Sequence, residues 1–583
     1  MVYIIKKDGT KEEFDASKIK RAVNKSAGRV MYRFTDDEIN FICKYATDRA
    51  EAMSKERKGG ILIQDMHNIV EGALEQVNPA VAKSYRDYRN YKVDFIHMMD
   101  EVYTKSQSIR YIGDKSNANT DSALVATKRS LIFNELNKEL YRKFFMNRNE
   151  LQACKDGYIY IHDQSARLDT MNCCLFDVGS VLRGGFEMGN VWYNEPKTLD
   201  TAFDVMGDII LSTAAQQYGG FTVPEVDKIL SPYAQKSYNK YYEEFLKYSD
   251  PSWEGREEKG RVYAWEKGCR DCDQGWQGIE YKLNTVGSSR GDYPFVTVTL
   301  GLGTGRFEKM ISKSLLKVHM GGQGKAGHKK PVLFPKIVFL YDEEIHGDGK
   351  ECEDVFEAGV ACSAKTMYPD WLSLTGEGYI ADMYKTYHKV ISPMGWRAFL
   401  SPYWEKGGQD KAGDDDVPVF QGRFNIGAIS LHLPMILAKS REENRPFYEV
   451  LDYYMEMIRR IHCRTYEYLG HMKASCNPLA YCQGGFLGGH LDYDDRIAPL
   501  LDSATASFGI TALNELQQLY NQKSMVEDGA FALEVMEYIN NKIQQYKAED
   551  HHLYAIYGTP AESLCGKQIK QFRKKYGIIK NVS

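Results

Sequence analysis

The first apolar run, Val2-Tyr3-Ile4-Ile5, has the density of a short strand; Lys6-Lys7-Asp8-Gly9 supplies a hairpin turn and Phe14 closes the return strand. The period then changes from two to about 3.6. Asp15 or Ser17 caps a helix starting near Lys18 that buries Ile19, Ala22 and Val23. A second helical run covers Asp36 to Ser54, and a third starts at Gln64-Asp65 with Met66, Ile69, Val70 and Leu74 on one face. Pro79 breaks it, and Val81 to Tyr91 predicts a fourth helix, so residues 1–92 form one unit. Beyond it, helical stretches alternate with short apolar runs such as Tyr158–Ile161, Phe295–Leu300 and Val332–Leu340. That alternation predicts an α/β domain over residues 93–583. Tyr248–Gly260 and Lys406–Val417 have the composition of surface loops.

Composition narrows the class. The 583 residues are 43% hydrophobic, enough for a large core, and the net charge of −4 predicts no general affinity for nucleic acid or acidic membranes. No apolar run approaches the roughly 18–20 residues of a membrane span. Met1–Lys7 lacks the layout of a secretory signal. Twelve cysteines dispersed over this length suit a reduced protein, so the expected location is the cytoplasm.

Several residues are candidates for chemistry. Lys6, Lys7 and Lys18 gather around Gly9 and a helix start, a setting that favours polyphosphate; ordinary surface lysines are the alternative. Cys362 follows the apolar run Val355–Val360 and precedes Pro369, which places it at a buried loop tip; inert packing is its alternative. Cys173 and Cys174 follow a strand and face opposite sides of it, which argues against a redox pair. Cys269-x-x-Cys272 lacks a second pair and falls in an apparent loop. The glycine-rich stretches 301–305 and 321–327 lack a complete dinucleotide or P-loop pattern and read as loops. Thr559 to Ser563 precedes a helical run, Leu564 to Tyr576, whose free N–H groups suit phosphate; an ordinary capped helix with Pro560 in its first turn is the alternative.

Ile4-x-Lys6-Lys7-Asp8-Gly9, Phe14-Asp15, Lys18-Ile19 and Asp65-x-His67 together resemble the ATP-cone. The resemblance implies that Ile4, Lys6, Lys7, Glu12, Lys18 and His67 form a nucleotide site, with ATP activating and dATP inhibiting. From about residue 115 onward the chain resembles the class III, glycyl-radical ribonucleotide reductases. The matching stretches include His162-Asp163, Asn172-Cys173, Gln217-Tyr218-Gly219-Gly220, Met367-Tyr368-Pro369-Asp370, Ser392-Pro393-Met394-Gly395, Asn425-Ile426-Gly427 and Thr559-Pro560-Ala561-Glu562-Ser563.

That resemblance implies a ten-stranded α/β barrel with the thiyl cysteine on a central finger loop. Cys362 would be that cysteine, Cys173 the second hydrogen donor, Asn425 a polar residue near the sugar, and Thr559, Ala561 and Ser563 the phosphate site. It further implies ribonucleoside triphosphate substrates, dNTP effectors, a radical-SAM activating enzyme, formate as reductant and a homodimer or larger assembly. The family's four-cysteine zinc site and radical glycine would lie beyond Ser583. Trp396 stands where relatives commonly carry cysteine. A different glycyl-radical enzyme, such as a formate acetyltransferase, and a non-catalytic nucleotide sensor ending at Ser583 are the alternatives.

Overall fold

The computed structural model describes residues 2–6, 9–57, 60–112, 123–285, 291–395, 398–403, 413–559 and 564–583. The chain forms two compact units, Met1–Ser108 and Ile109–Ser583.

In the first unit, β1 (Tyr3–Ile5) pairs antiparallel with β2 (Lys11–Glu13), and β3 (Ile61–Leu62) joins β1 in parallel. Four helices complete it: α1 (Ala16–Arg29), α2 (Asp36–Glu56), α3 (Ile63–Val77) and α4 (Pro79–Ile112). Asp15 caps α1 through the N–H of Ser17, and Thr35 with Glu38 makes a reciprocal capping box on α2. Ile4, Val23, Ile42, Val70, Leu74 and Val81 form its core. The helix expected to end at Tyr91 continues to Ile112, because no Gly or Pro interrupts the chain after Pro79.

The second unit is built on a sheet that, among the described residues, has nine strands. These are β4 (Ile159–Ile161), β5 (Cys174–Leu175), β8 (Phe221–Val223), β9 (Val296–Leu300), β10 (Lys336–Tyr341), β11 (Asp370–Ser373), β12 (Phe424–His432), β13 (Ala504–Thr511) and β14 (Leu553–Gly558). A separate hairpin pairs β6 (Phe186–Met188) with β7 (Val191–Tyr193). The sheet order is β11-β10-β9-β8-β5-β12-β13-β14, with β4 also beside β12.

The first five strands of that path are mutually parallel, and so are the last three; the two sets meet antiparallel where Phe424 of β12 faces Cys174 of β5. Every residue of β9, β12 and β13 is buried, as expected for parallel strands covered on both faces. Ten barrel strands were expected; the described sheet has nine, and β11 and β14 end its path.

Two local expectations are corrected. The Cys269-x-x-Cys272 segment lies within the helix Arg256–Leu283, where Ala264, Gly268, Cys272, Trp276, Ile279 and Leu283 form its buried stripe. Cys362 is on the helix Glu353–Thr366 rather than at a loop tip, because the run from Val355 continues unbroken to Thr366 and the chain turns only at Met367, with φ +65°. The Lys406–Val417 stretch lies largely outside the described residues. So do Lys7, Trp396, Ala561 and Ser563.

Candidate functional site

The first unit contains a cavity of about 720 Å³ lined by Lys6, Lys18, Arg21, Lys25, Arg29, His67, Tyr85, Tyr88 and Arg89, among others. Lys18, Arg21, Lys25 and Arg29 reach it from a single face of α1. Glu12 ion-pairs with both Lys6 and Lys18 and so holds two of the lining ammonium groups on one carboxylate. His67 Nδ1 lies 2.8 Å from the Tyr85 hydroxyl, and the Arg29 guanidinium stacks 3.8 Å from the Tyr88 ring centre. Ile4, expected at the nucleotide, packs into the unit's apolar core. Lys18, Arg21, Lys25 and Arg29 recur at helical spacing in the sequence, and that stripe is the signal that marks Arg21, Lys25 and Arg29 as lining residues beside Lys18.

In the second unit, the junction of the two strand sets carries the candidate active site. Cys173 immediately precedes β5. Its carbonyl accepts from the Asn425 N–H at 2.8 Å, and the Asn425 carbonyl accepts from the Asn172 N–H at 2.9 Å. The Cys173 thiol lies 3.3 Å from Asn172 Oδ1 and accepts the Gly220 N–H at 3.2 Å. Burial pushes this thiol up to about 12, partly offset by the Gly220 and Gly395 backbone groups, so it is a neutral S–H at physiological pH. Cys174 points elsewhere, to Gln217 Oε1.

Asn425 sits at a bulge in β12. Its Nδ2 donates to Ser507 Oγ at 2.7 Å, and its Oδ1 accepts the Gly427 N–H at 2.5 Å. A polar chain continues along the same face: His162 Nε2 to Ser430 Oγ at 2.8 Å, and Ser430 Oγ to Thr559 Oγ1 at 2.7 Å. Burial, aided by the charge of Arg167, holds His162 down to about 4, so it is neutral. Thr559 thus joins the site directly, and the helix Leu564–Tyr576 begins five residues after it.

Cys362 is not brought to this face. Its thiol lies 3.6 Å from Thr366 Oγ1; burial raises it above the ordinary thiol range, and Glu280 and the Met320 backbone, on neighbouring helices, are among the groups that also act on it. Instead, Met394 and Leu400 pack against Cys173 and Leu175. In sequence, Gly395 is followed by Trp396. His162, Arg167, Tyr218 and Tyr557 were not assigned roles from sequence; their contribution appears only once three separate segments and β14 converge. Among the described residues, no group of three or more His, Cys, Asp or Glu is arranged to hold a metal ion.

The family model described as anaerobic ribonucleoside-triphosphate reductase matches residues 116–582, and that of the ATP cone domain matches residues 2–93. The chain belongs to the anaerobic ribonucleoside-triphosphate reductase family. It is 32% identical to the anaerobic ribonucleoside-triphosphate reductase of Enterobacteria phage T4 over 80% of this chain and 74% of that protein. The Haemophilus influenzae protein of the same name is 29% identical over the whole of this chain and 80% of its own length. Among solved structures, the anaerobic ribonucleotide reductase from Thermotoga maritima with glycerol in the active site aligns with a TM-score of 0.57. That alignment has 15% identity and covers 84% of this chain and 79% of that one. The complex of the Thermotoga maritima reductase with dATP and CTP gives a TM-score of 0.55 at 13% identity, covering 83% and 78%. This reductase-family chain therefore shares the reductase fold, and it carries an ATP-cone before it. No helix among the described residues is long and apolar enough to cross a membrane.

Proposed function

We propose that this chain reduces ribonucleoside triphosphates to their 2′-deoxy forms, with residues 1–92 sensing ATP and dATP and residues 93–583 holding the substrate. Family membership over residues 116–582 carries this reading. The Cys173 face supports it: a neutral thiol, the Asn425 carboxamide and the Ser430–Thr559 hydroxyls converge on one buried polar surface. Cys173 serves as the hydrogen donor, Asn425 orients the ribose, and Thr559 together with the start of the following helix receives phosphate. A glycyl radical, generated by a radical-SAM partner, would supply the radical chemistry of the family. With formate as reductant the reaction balances: formate becomes carbon dioxide while the 2′ hydroxyl leaves as water. The functional assembly is a homodimer or larger, in the cytoplasm.

The position of Cys362 favours a second reading. Its thiol faces the helical layer, and the segment beside Cys173 continues into Trp396, so Cys173 is the only cysteine on this face among the described residues. On this reading the chain binds nucleotides and regulates without reducing them itself. The deciding experiment supplies the full chain anaerobically with an activating enzyme, formate and CTP and measures dCTP. Deoxynucleotide formation that is lost in Cys173→Ala supports the first reading. Tight CTP and ATP binding without any product supports the second.

A further inference from the structure

Among the described residues, two guanidinium groups are fully buried in the second unit, and they are treated differently. Arg423 uses every nitrogen: Nε donates to Ser503 O at 2.7 Å, Nη1 to Ser401 O at 2.6 Å and Nη2 to Thr505 Oγ1 at 3.4 Å. Arg167 is 1% exposed; its Nη1 donates to Ala428 O at 3.2 Å, and the Tyr141 hydroxyl lies within hydrogen-bonding reach of the guanidinium. Its Nε and Nη2 have no hydrogen-bond partner, and among the described residues it forms no ion pair. Those two nitrogens share one edge of the planar group, the edge that meets a carboxylate or phosphate through two parallel N–H···O bonds.

Among the described residues, no ion pair neutralises this charge. Arg167 packs against Gly427, whose φ of +129° and missing side chain admit it: a Cβ there would lie 2.4 Å from Nη1 and 2.8 Å from the Tyr218 hydroxyl. The titratable groups that feel its field are Tyr141, Tyr218, Tyr557, His162 and His462. Burial keeps the phenols protonated and the imidazoles neutral. Asp163 influences Tyr218 and Tyr557 but makes no ion pair with Arg167. An arginine cannot shed its proton, so a buried one without an anion is unfavourable until a ligand supplies the counter-charge.

We propose that Arg167 is an oxyanion receptor on the Cys173 face, its Nε–Nη2 edge gripping the oxygens of a small carboxylate or of a phosphate group. A cavity of about 640 Å³ beside the segment that carries Arg167 has Ser165, Ala166 and Tyr218 in its wall, together with Arg129 and the carboxylates Asp163, Asp169 and Asp292; Arg167 itself is not in that wall. The inference rests on the functional reading only in taking this face as the one that receives ligand.

The test is calorimetric melting of the full chain in chloride, formate, acetate and inorganic phosphate at equal ionic strength, for wild type, Arg167→Met and Arg167→Lys. The anion-dependent rise expected for wild type over chloride is about 2 °C near ten times the dissociation constant. Arg167→Met should lose that rise and, in chloride, melt no lower than wild type, because it no longer buries an uncompensated cation. Arg167→Lys should keep part of the response, and it serves if the methionine variant does not fold. A response to formate and acetate identifies a small carboxylate; one to phosphate alone identifies a phosphate group. An anion response of equal size in wild type and both variants, or none in wild type, overturns the proposal. Turnover is not read, so a chain that binds anions at Arg167 but makes no deoxynucleotide would sink only the reductase reading.

Discussion

The backbone N–H of Gly220 points at the thiol of Cys173 from 3.2 Å. This contact fixes the sulfur without ionising it, since burial keeps the thiol protonated until about pH 12. A sulfur held as S–H suits hydrogen donation and is poor at nucleophilic attack. Cys173→Ala is expected to leave the fold and CTP binding intact while removing deoxynucleotide formation, checked by product chromatography and calorimetric titration. Wild-type Cys173 should also resist alkylation by iodoacetamide at pH 8 in the folded protein, read by peptide mass spectrometry.

Cys362 should behave as a packing residue. Removing its thiol from the helix Glu353–Thr366 deletes a contact with Thr366 and leaves a small cavity, costing about 1–2 kcal/mol. Denaturant melts of Cys362→Ala should show that loss, with CTP affinity unchanged. An unaltered melt together with abolished substrate binding would contradict its placement behind the sheet.

At the cone cavity, Lys18→Ala removes one lining ammonium and frees Glu12 to hold Lys6 alone. A charge-assisted phosphate contact is worth about 1.5–3 kcal/mol, so ATP affinity should fall roughly 10- to 100-fold. Arg21→Ala should act in the same direction. Fluorescent ATP analogue titration reads both, and undiminished binding in the pair would remove the cavity as the nucleotide site.

Acid should weaken the second unit through its buried imidazoles. His162 and His432 both titrate near 4 in the folded state, below the ordinary value of 6.5, because burial disfavours the charged ring. A depressed base contributes stability that is complete above pH 6.5 and is lost as pH falls towards 4. Melting temperature should therefore drop between pH 6.5 and 4, and His432→Gln should flatten that slope. A slope unchanged in the variant would show that His432 is not a source of it.

Arg423 offers the contrast to Arg167. Arg423→Met strands the carbonyls of Ser401 and Ser503 inside the protein and should destabilise it by about 3 kcal/mol. A thermal melt separates the two arginines: the drop belongs to position 423 and is absent at 167.

The sequence was most readable where one local signal decided the outcome. Tyr158–Ile161, Phe295–Leu300 and the hairpin around Lys6–Gly9 appear nearly where their apolar patterns place them. The Lys18 face of α1 was legible in part, since its basic stripe follows helical spacing. Cys362 was misplaced because a buried cysteine before a proline looks alike on a helix end and on a loop; only the neighbouring helices decide which way the sulfur faces. The Cys269-x-x-Cys272 segment was expected in a loop, yet it is helical, and within that helix Gly260 packs closely on Tyr242 and Phe245, and Gly275 on Phe203. Arg167 and Tyr557 could not be read at all, because they are about 390 residues apart and acquire meaning only across the sheet.

The antiparallel seam between β5 and β12 has a mechanical consequence. Cys173 leads into β5 of one set of parallel strands and Asn425 lies in β12 of the other, and the backbone bonds Asn425 N–H to Cys173 O and Asn172 N–H to Asn425 O stitch the two sets together. Any sliding of one strand set past the other must stretch or break these two backbone bonds. The seam therefore works like a vernier: a small displacement of either strand set is read out at the backbone of residues 173 and 425.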